Sequence, residues 1–298
     1  MIPVILDTDI GTDIDDTWAL AMLLRSPELD LRLVVSDTGD THYRARLIAK
    51  MLESAGRTDV PVGVGIPLEQ AEKPQAEWVA DYQLSAYPGR VYEDGVGAIV
   101  DTVMSSPEPV TLIAIGPVVN IAAALQREPA IAERARFVGM HGSIRRGYDG
   151  RPQVDAEYNV VKYPHACQAV FAAPWEITIT PLDTCALVRL EGERYRAVRD
   201  CDDPLIRALM ENYRIWARHV SWARGIDPDV SSSVLFDTVA VYLAFSEELL
   251  LVETLPVRVT DDGYTRVEPG ARLVRCATEW KDLPAFTDLL VQRLVSDF

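Results

Sequence analysis

Apolar and polar positions along this chain fall into short blocks whose period changes. Val4-Ile5-Leu6 is a continuous apolar run that reads as a buried strand, and residues 18–24, Trp-Ala-Leu-Ala-Met-Leu-Leu, read as a buried helix. Residues 31–36 form a second β-like run. Residues 43–54 then place Ala45, Ile48, Ala49 and Leu52 at helical spacing, and Gly56 closes that helix. A third strand is predicted over 60–64. Residues 66–97 show no period, and so long a connection usually serves function or is poorly ordered. Residues 110–115 are the clearest buried strand. A helix over 120–126, a strand over 136–140, a helix over 160–173 interrupted by Pro164 and a strand over 176–180 follow. Beyond residue 189 the pattern changes to Arg-bearing helices over 189–199 and 204–224. An apolar helix over 235–245, β-like runs over 250–259, 264–267 and 273–276, and a closing helix over 282–295 complete the chain. Repeated β-α order predicts an α/β fold. Its central sheet is mostly parallel with helices on both faces, and a small antiparallel appendage sits near the C-terminus. With no internal repeat, low-complexity tract or linker, residues 1–298 are expected to form a single domain.

Composition narrows the partners. A net charge of −16 over 298 residues sets the chain against nucleic acid and anionic membrane, both of which would repel it. Cys167, Cys185, Cys201 and Cys276 have no C-x-x-C spacing, which fits buried thiols in a reducing compartment better than a disulfide set or a zinc site. Met1 leads straight into a strand, and no apolar run is long enough to span a bilayer, so a cytoplasmic protein is expected.

The candidate chemistry is concentrated where the first strand meets the first helix. Asp7, Asp9, Asp13, Asp15 and Asp16 fall within ten residues with no Lys or Arg among them. Helix-dipole attraction explains Asp13, Asp15 and Asp16 as a solvated N-terminus. It does not explain Asp7 and Asp9, which lie against the apolar strand, two apart and therefore to one side of it. A hard divalent cation with oxygen ligands accounts for all five. The cluster is not an EF-hand, because the sixth and twelfth places counted from Asp7 hold Thr12 and Trp18. The Asp-x-Asp-x-Thr/Val loop of haloacid-dehalogenase-like phosphatases is matched by Asp7-Thr8-Asp9-Ile10, but Gly11 takes its last place.

Three later motifs stand at similar junctions. Ile115-Gly116-Pro117 ends a strand in a turn that leaves a carbonyl free for a ligand. Glu157-Tyr158-Asn159 opens a helix after a Gly-rich loop, and Asp237 opens an apolar helix. Helix capping alone accounts equally well for Asn159 and Asp237.

In this order the motifs resemble those of the inosine-uridine nucleoside hydrolase family. That family opens with Asp-x-Asp-Pro-Gly-x-Asp-Asp and continues with Gly-x-x-Thr-Asn-Ile-Ala, Ala-Glu-Phe-Asn and a late Asp before a helix. The resemblance runs from Asp7 to about Leu243. It implies hydrolysis of the N-glycosidic bond of a ribonucleoside by a Ca²⁺ enzyme. Asp9, Asp16, the Ile115 carbonyl and Asp237 would be the metal ligands, and Asp9 the general base. Asp15 and Asn159 would hold the 2′- and 3′-hydroxyls, and Glu157 the 5′-hydroxyl, with Asp7 orienting its neighbours. A homodimer or homotetramer is expected by the same resemblance.

The departures are specific. Two extra residues separate Asp9 from Asp15-Asp16, and Ile10 replaces Pro. Asp40 stands where the family has Asn in its second loop, and Arg151 where it has Asn before Glu157. Phe236 replaces the His often assigned to protonating the leaving base. His141 and His219 are the candidates for supplying that proton, and Trp222 is a candidate for stacking on the base. Arg145, Arg146 and Arg151 suggest either an anion subsite near the 5′ end or a solvated loop. Three functions stay open at this level. They are the Ca²⁺-dependent N-ribohydrolase, a Mg²⁺ phosphatase with Asp7 as nucleophile and Asp9 as acid, and a non-catalytic ribosyl-binding protein.

Overall fold

The computed structural model describes residues 1–68, 72–223 and 225–296. Ten strands form one sheet: β1 (Ile2–Thr8), β2 (Leu29–Ser36), β3 (Val62–Val64), β4 (Val91–Tyr92), β5 (Val110–Ala114), β6 (Ala135–Met140), β7 (Ile177–Thr180), β8 (Leu250–Val259), β9 (Thr265–Val267) and β10 (Arg272–Trp280). Their order is β4-β3-β2-β1-β5-β6-β7-β10-β8-β9. Pairing is parallel from β4 through β10, and only β8 runs against the rest. The expected antiparallel strands are present. They are not set apart, however, because β10 joins the main sheet beside β7, with Arg275 opposite Thr178 and Cys276 opposite Ile179.

Period-two alternation sends successive side chains to opposite faces. Val4 and Leu6 of β1 belong to one hydrophobic core, and Ile5 to the other. In β5, Leu112 and Ala114 face one way and Ile113 the other. The first core is covered by α1 (Asp15–Leu24), α2 (Thr41–Ser54) and helices from the C-terminal third of the chain. The second is covered by α3 (Gly95–Ser105), α4 (Val119–Arg127), the short α5 (Ile131–Arg134) and, past α6 (Tyr158–Val161), α7 (Pro164–Ala172). Helices on both faces are what the β-α pattern predicts. Each fully buried Leu, Ile or Val contributes roughly 1.5–3 kcal/mol, so two such cores hold the sheet rigid beneath the site.

Several boundaries move. The region expected to be irregular holds β4 and the start of α3; its residues 69–71 lie outside the described residues. The helix expected around Pro164 is two helices, α6 and α7, and Pro164 opens the second at a position where its missing N–H costs nothing. After α8 (Leu182–Cys185) and α9 (Gly192–Arg199), the helix expected to reach Arg224 ends as α10 (Pro204–His219); Arg224 lies outside the described residues. The last helices are α11 (Thr238–Leu243) and α12 (Leu283–Val295). No helix among the described residues is long and apolar enough to cross a membrane.

Candidate active site

Parallel pairing aligns the C-terminal ends of β1, β5 and β6, with Asp7 opposite Ala114 and Ala114 opposite Gly139. Loops leaving these ends surround a cavity of about 470 Å³. Ligands bind at this end of open α/β sheets. Asp9, Asp13, Asp15 and Asp16 reach the cavity from the β1–α1 junction, Ile115 from the end of β5, Glu157 and Asn159 from the start of α6, and Asp237 from the start of α11.

The acidic loop is held in shape by polar contacts beneath it. Thr8 donates its hydroxyl to Asp16, and Asp13 Oδ1 accepts the Ile14 N–H at 2.6 Å. Arg44 of α2, 2% exposed, donates to the carbonyls of Thr38 (3.0 Å) and Ile10 (2.9 Å) and to Thr12 Oγ1 (3.0 Å). Its guanidinium lies 3.8 Å from Asp9 Oδ2. Trp216 Nε1 donates to the Thr12 carbonyl at 3.0 Å, tying the loop to α10.

One oxygen each from Asp15, Asp16 and Asp237 lies within 4.8 Å of the others, and all three residues are buried. Burial first, and neighbouring carboxylates second, raise all three well above the usual carboxylate range. Asp15 in particular raises Asp237, because two carboxylates brought this close repel. Burial also raises Asp9, and Arg44 pulls it partly back. An all-oxygen set that otherwise has to take up protons suits a hard divalent cation. These residues therefore fit the metal that the sequence pattern implies.

Glu157 is fixed from both sides. Its Oε2 accepts the Gly142 N–H at 2.9 Å and its Oε1 the Asn159 N–H at 2.7 Å, and burial pushes its carboxyl up to about 7. Asn159 Nδ2 donates to the carbonyls of Met140 (3.0 Å) and Ile115 (3.3 Å), which fixes the amide's orientation at the cavity wall. The lining also includes the aromatic residues Tyr148, Tyr158, Trp222 and Phe236, with Met140. Tyr148 meets Phe236 edge to face at 6.0 Å between ring centroids.

Of the residues singled out from sequence, Asp9, Asp15, Asp16, Ile115, Glu157, Asn159, Trp222 and Asp237 come together at this cavity. Five do not. His141 is fully buried behind the wall, packed on Phe137 and Phe171, with Nε2 on the Gly116 carbonyl at 3.1 Å. Burial pushes it down to about 3, so the ring stays neutral, and its Nε2–H is taken by the Gly116 carbonyl rather than aimed into the cavity. His219 is exposed at the end of α10 and bonds Glu77 at 2.8 Å in a separate groove. Asp40 caps α2 by accepting the Tyr43 N–H at 3.0 Å and pairs with Lys73. Arg151 is turned outward onto Asp155. Arg145 pairs with Glu253 and Arg146 donates to the Gly150 carbonyl, so the arginine loop forms no cluster aimed at the cavity.

Asp7 is the fifth. Like Ile5 it points to the α4 side of the sheet, where Asn120 Nδ2 donates to its Oδ1 at 2.8 Å; it is 1% exposed and absent from the cavity lining. It is not available as a phosphatase nucleophile. Sequence reasoning missed Tyr148 and Tyr158 as wall residues and Arg44 as the support of Asp9. Tyr158 sits between Glu157 and Asn159, so the signal for it was adjacency; nothing in the sequence distinguishes Arg44 from the other helical arginines.

The chain matches the family model "Inosine-uridine preferring nucleoside hydrolase" over residues 4–287. It is 31% identical over 225 residues to the non-specific ribonucleoside hydrolase RihC of Escherichia coli (strain SMS-3-5 / SECEC), covering 72% of each chain. It is 29% identical over 235 residues to the pyrimidine-specific ribonucleoside hydrolase RihA of Salmonella arizonae, covering 74% of each. Among solved structures, a plant nucleoside hydrolase, the PpNRh1 enzyme, superimposes with a TM-score of 0.83 at 23% identity over 99% of both chains. The family match begins in β1 and runs into α12, taking in every segment that reaches the cavity, and the chain therefore belongs to the inosine-uridine preferring nucleoside hydrolase family.

Proposed function

We propose that this nucleoside hydrolase cleaves the N-glycosidic bond of a ribonucleoside or closely related ribosyl compound with Ca²⁺ held by Asp9, Asp16, Asp237 and the Ile115 carbonyl. The observation that carries this reading is the buried Asp15-Asp16-Asp237 group, whose oxygens converge within 4.8 Å at the C-terminal end of the parallel sheet. Bound there, the cation would supply Lewis acidity and coordination positions suited to a sugar diol and a water.

The chain's own groups do the rest. Asp15 and Asn159 accept from the 2′- and 3′-hydroxyls, and Glu157 accepts from the 5′-hydroxyl; Asn159 and Glu157 are already oriented by the contacts described above. Asp9 takes a proton from the attacking water as general base. As the base departs, positive charge grows on the ribose ring, and the preorganised carboxylates stabilise it. Trp222 and the tyrosines exclude water from the base side.

The test is release of reducing sugar from inosine and uridine, before and after chelation. Activity that falls at least 100-fold on chelation and returns with Ca²⁺ is expected. Release unaffected by chelation removes the metal from the reading, and binding of ribose with no release from any nucleoside replaces catalysis with ribosyl binding. Assembly as a homodimer or homotetramer belongs to the same reading and is read by sedimentation. A cytoplasmic setting is supported by four free cysteines, three of them buried.

A further inference from the structure

Six carboxyl groups, from Asp9, Asp13, Asp15, Asp16, Glu157 and Asp237, and four aromatic residues, Tyr148, Tyr158, Trp222 and Phe236, line the cavity. No Lys, Arg or His is among the described residues that line it. Arg44 lies behind Asp9 with its N–H groups committed to Ile10, Thr38 and Thr12. Burial raises the six carboxyls, Asp13 and Glu157 to about 7, so the charge of the set depends on the protons it holds, and no described basic side chain in the lining opposes it.

A neutral purine leaves far more readily once it is protonated, so a proton donor placed at the base speeds bond cleavage. The two histidines nearest in sequence to wall elements are not in the wall. The Tyr148 and Tyr158 hydroxyls are both raised by burial above the ordinary phenol range, which makes them poor acids. Tyr148 Oη already accepts the Tyr158 N–H at 3.1 Å. What this cavity does offer is aromatic rings and carboxyl groups in one lining, the combination that attracts organic cations.

Resting on the N-ribohydrolase reading above, we propose that the preferred substrates are ribosides whose base is already cationic, an N-ribosylpyridinium or an N7-alkylated purine riboside. The C1′–N bond breaks with both electrons passing to the ring nitrogen, which cancels its positive charge, and a neutral heterocycle leaves. Water adds its oxygen to C1′ and gives its proton to Asp9. The sum is cationic riboside plus water to ribose, neutral base and a proton, and no acid is required at the leaving group.

The experiment compares kcat/KM for 7-methylinosine with inosine, and for nicotinamide riboside with uridine, by ribose release. It also compares inhibition by the N-methylnicotinamide cation with that by neutral nicotinamide. The cationic substrates are expected to be favoured by about 100-fold, the contribution a general acid would otherwise make. The cationic inhibitor is expected to bind about tenfold tighter, in the range of a desolvated cation–π contact. Ribose release at equal rates from inosine and 7-methylinosine overturns the proposal, because a proton donor then exists, while the N-ribohydrolase reading stands. Equal binding of the two inhibitors overturns it as well, since a rate preference would then report only the lability of the methylated base. No ribose from any of the four substrates overturns the proposal together with the reading beneath it.

Discussion

Arg44 shows how much of the site rests on one side chain outside it. Its fork satisfies three acceptors on two loops and stands 3.8 Å from Asp9. Arg44→Met would leave a buried carboxylate uncompensated and those acceptors unpaired. A loss of about 3–5 kcal/mol in urea unfolding is expected. Arg44→Lys is expected to recover little, because an ammonium cannot reach three directions from one plane. A lysine variant as stable as the parent would refute this account of the loop. At this scale the acids were legible in the sequence and their directions were not. Asp7 and Asp9 share a parity only if the strand continues through both; β1 stops at Thr8, so Asp9 leaves the alternation while Asp7 obeys it. The histidines failed for a related reason: composition reveals that a ring exists, and only packing decides whether it faces a cavity, a core or solvent.

Elements carry the second level of organisation. α10 ends at His219, and the chain beyond it brings Trp222 over the cavity while the ring stays 53% exposed, resting edge-on against Trp216 at 5.8 Å. Trp222→Ala therefore removes little core, and its unfolding free energy is expected to change by less than about 1 kcal/mol. Its KM is expected to rise about tenfold, the size of one base–aromatic stacking contact. Parallel steady-state and thermal measurements check both, and a stability loss without a KM change would make Trp222 a packing residue. Helices with clean apolar periods, such as α2, were readable from sequence. α3 was not, because Gly95 and Gly97 in its first turn look like loop. Its signal was Asp94, whose side chain accepts the Gly97 N–H at 2.9 Å as a helix cap. Pro164 was read as an interruption when it marks a beginning.

For the whole molecule, the buried carboxyls set the response to pH. Burial raises Asp37, Asp13 and Glu157 to about 7, above their unfolded values, and lifts the Asp15-Asp16-Asp237 group as well. A folded state that holds more protons than the unfolded chain loses stability as pH rises. The metal-free protein is therefore expected to weaken from about pH 4, the unfolded carboxylate value, through pH 7. Surface carboxylates paired with cations, such as Asp203 with Arg25, are lowered and act with the opposite sign below that window. Added Ca²⁺ is expected to flatten the decline, because binding to the folded state alone adds stability by mass action. Thermal unfolding across pH with and without Ca²⁺ measures this, and a metal-free protein that gains stability from pH 4 to pH 7 contradicts it.

The cavity draws on β1, β5, α6 and α11, and α11 is joined to the rest of the chain only after most of it has been made. A polypeptide released before Asp237 is synthesised would carry the early acids without their last partner. Capture of an ion there would double as an inspection of completed manufacture: only a chain that has docked its late helix against α1 brings Asp237 to Asp15 and Asp16.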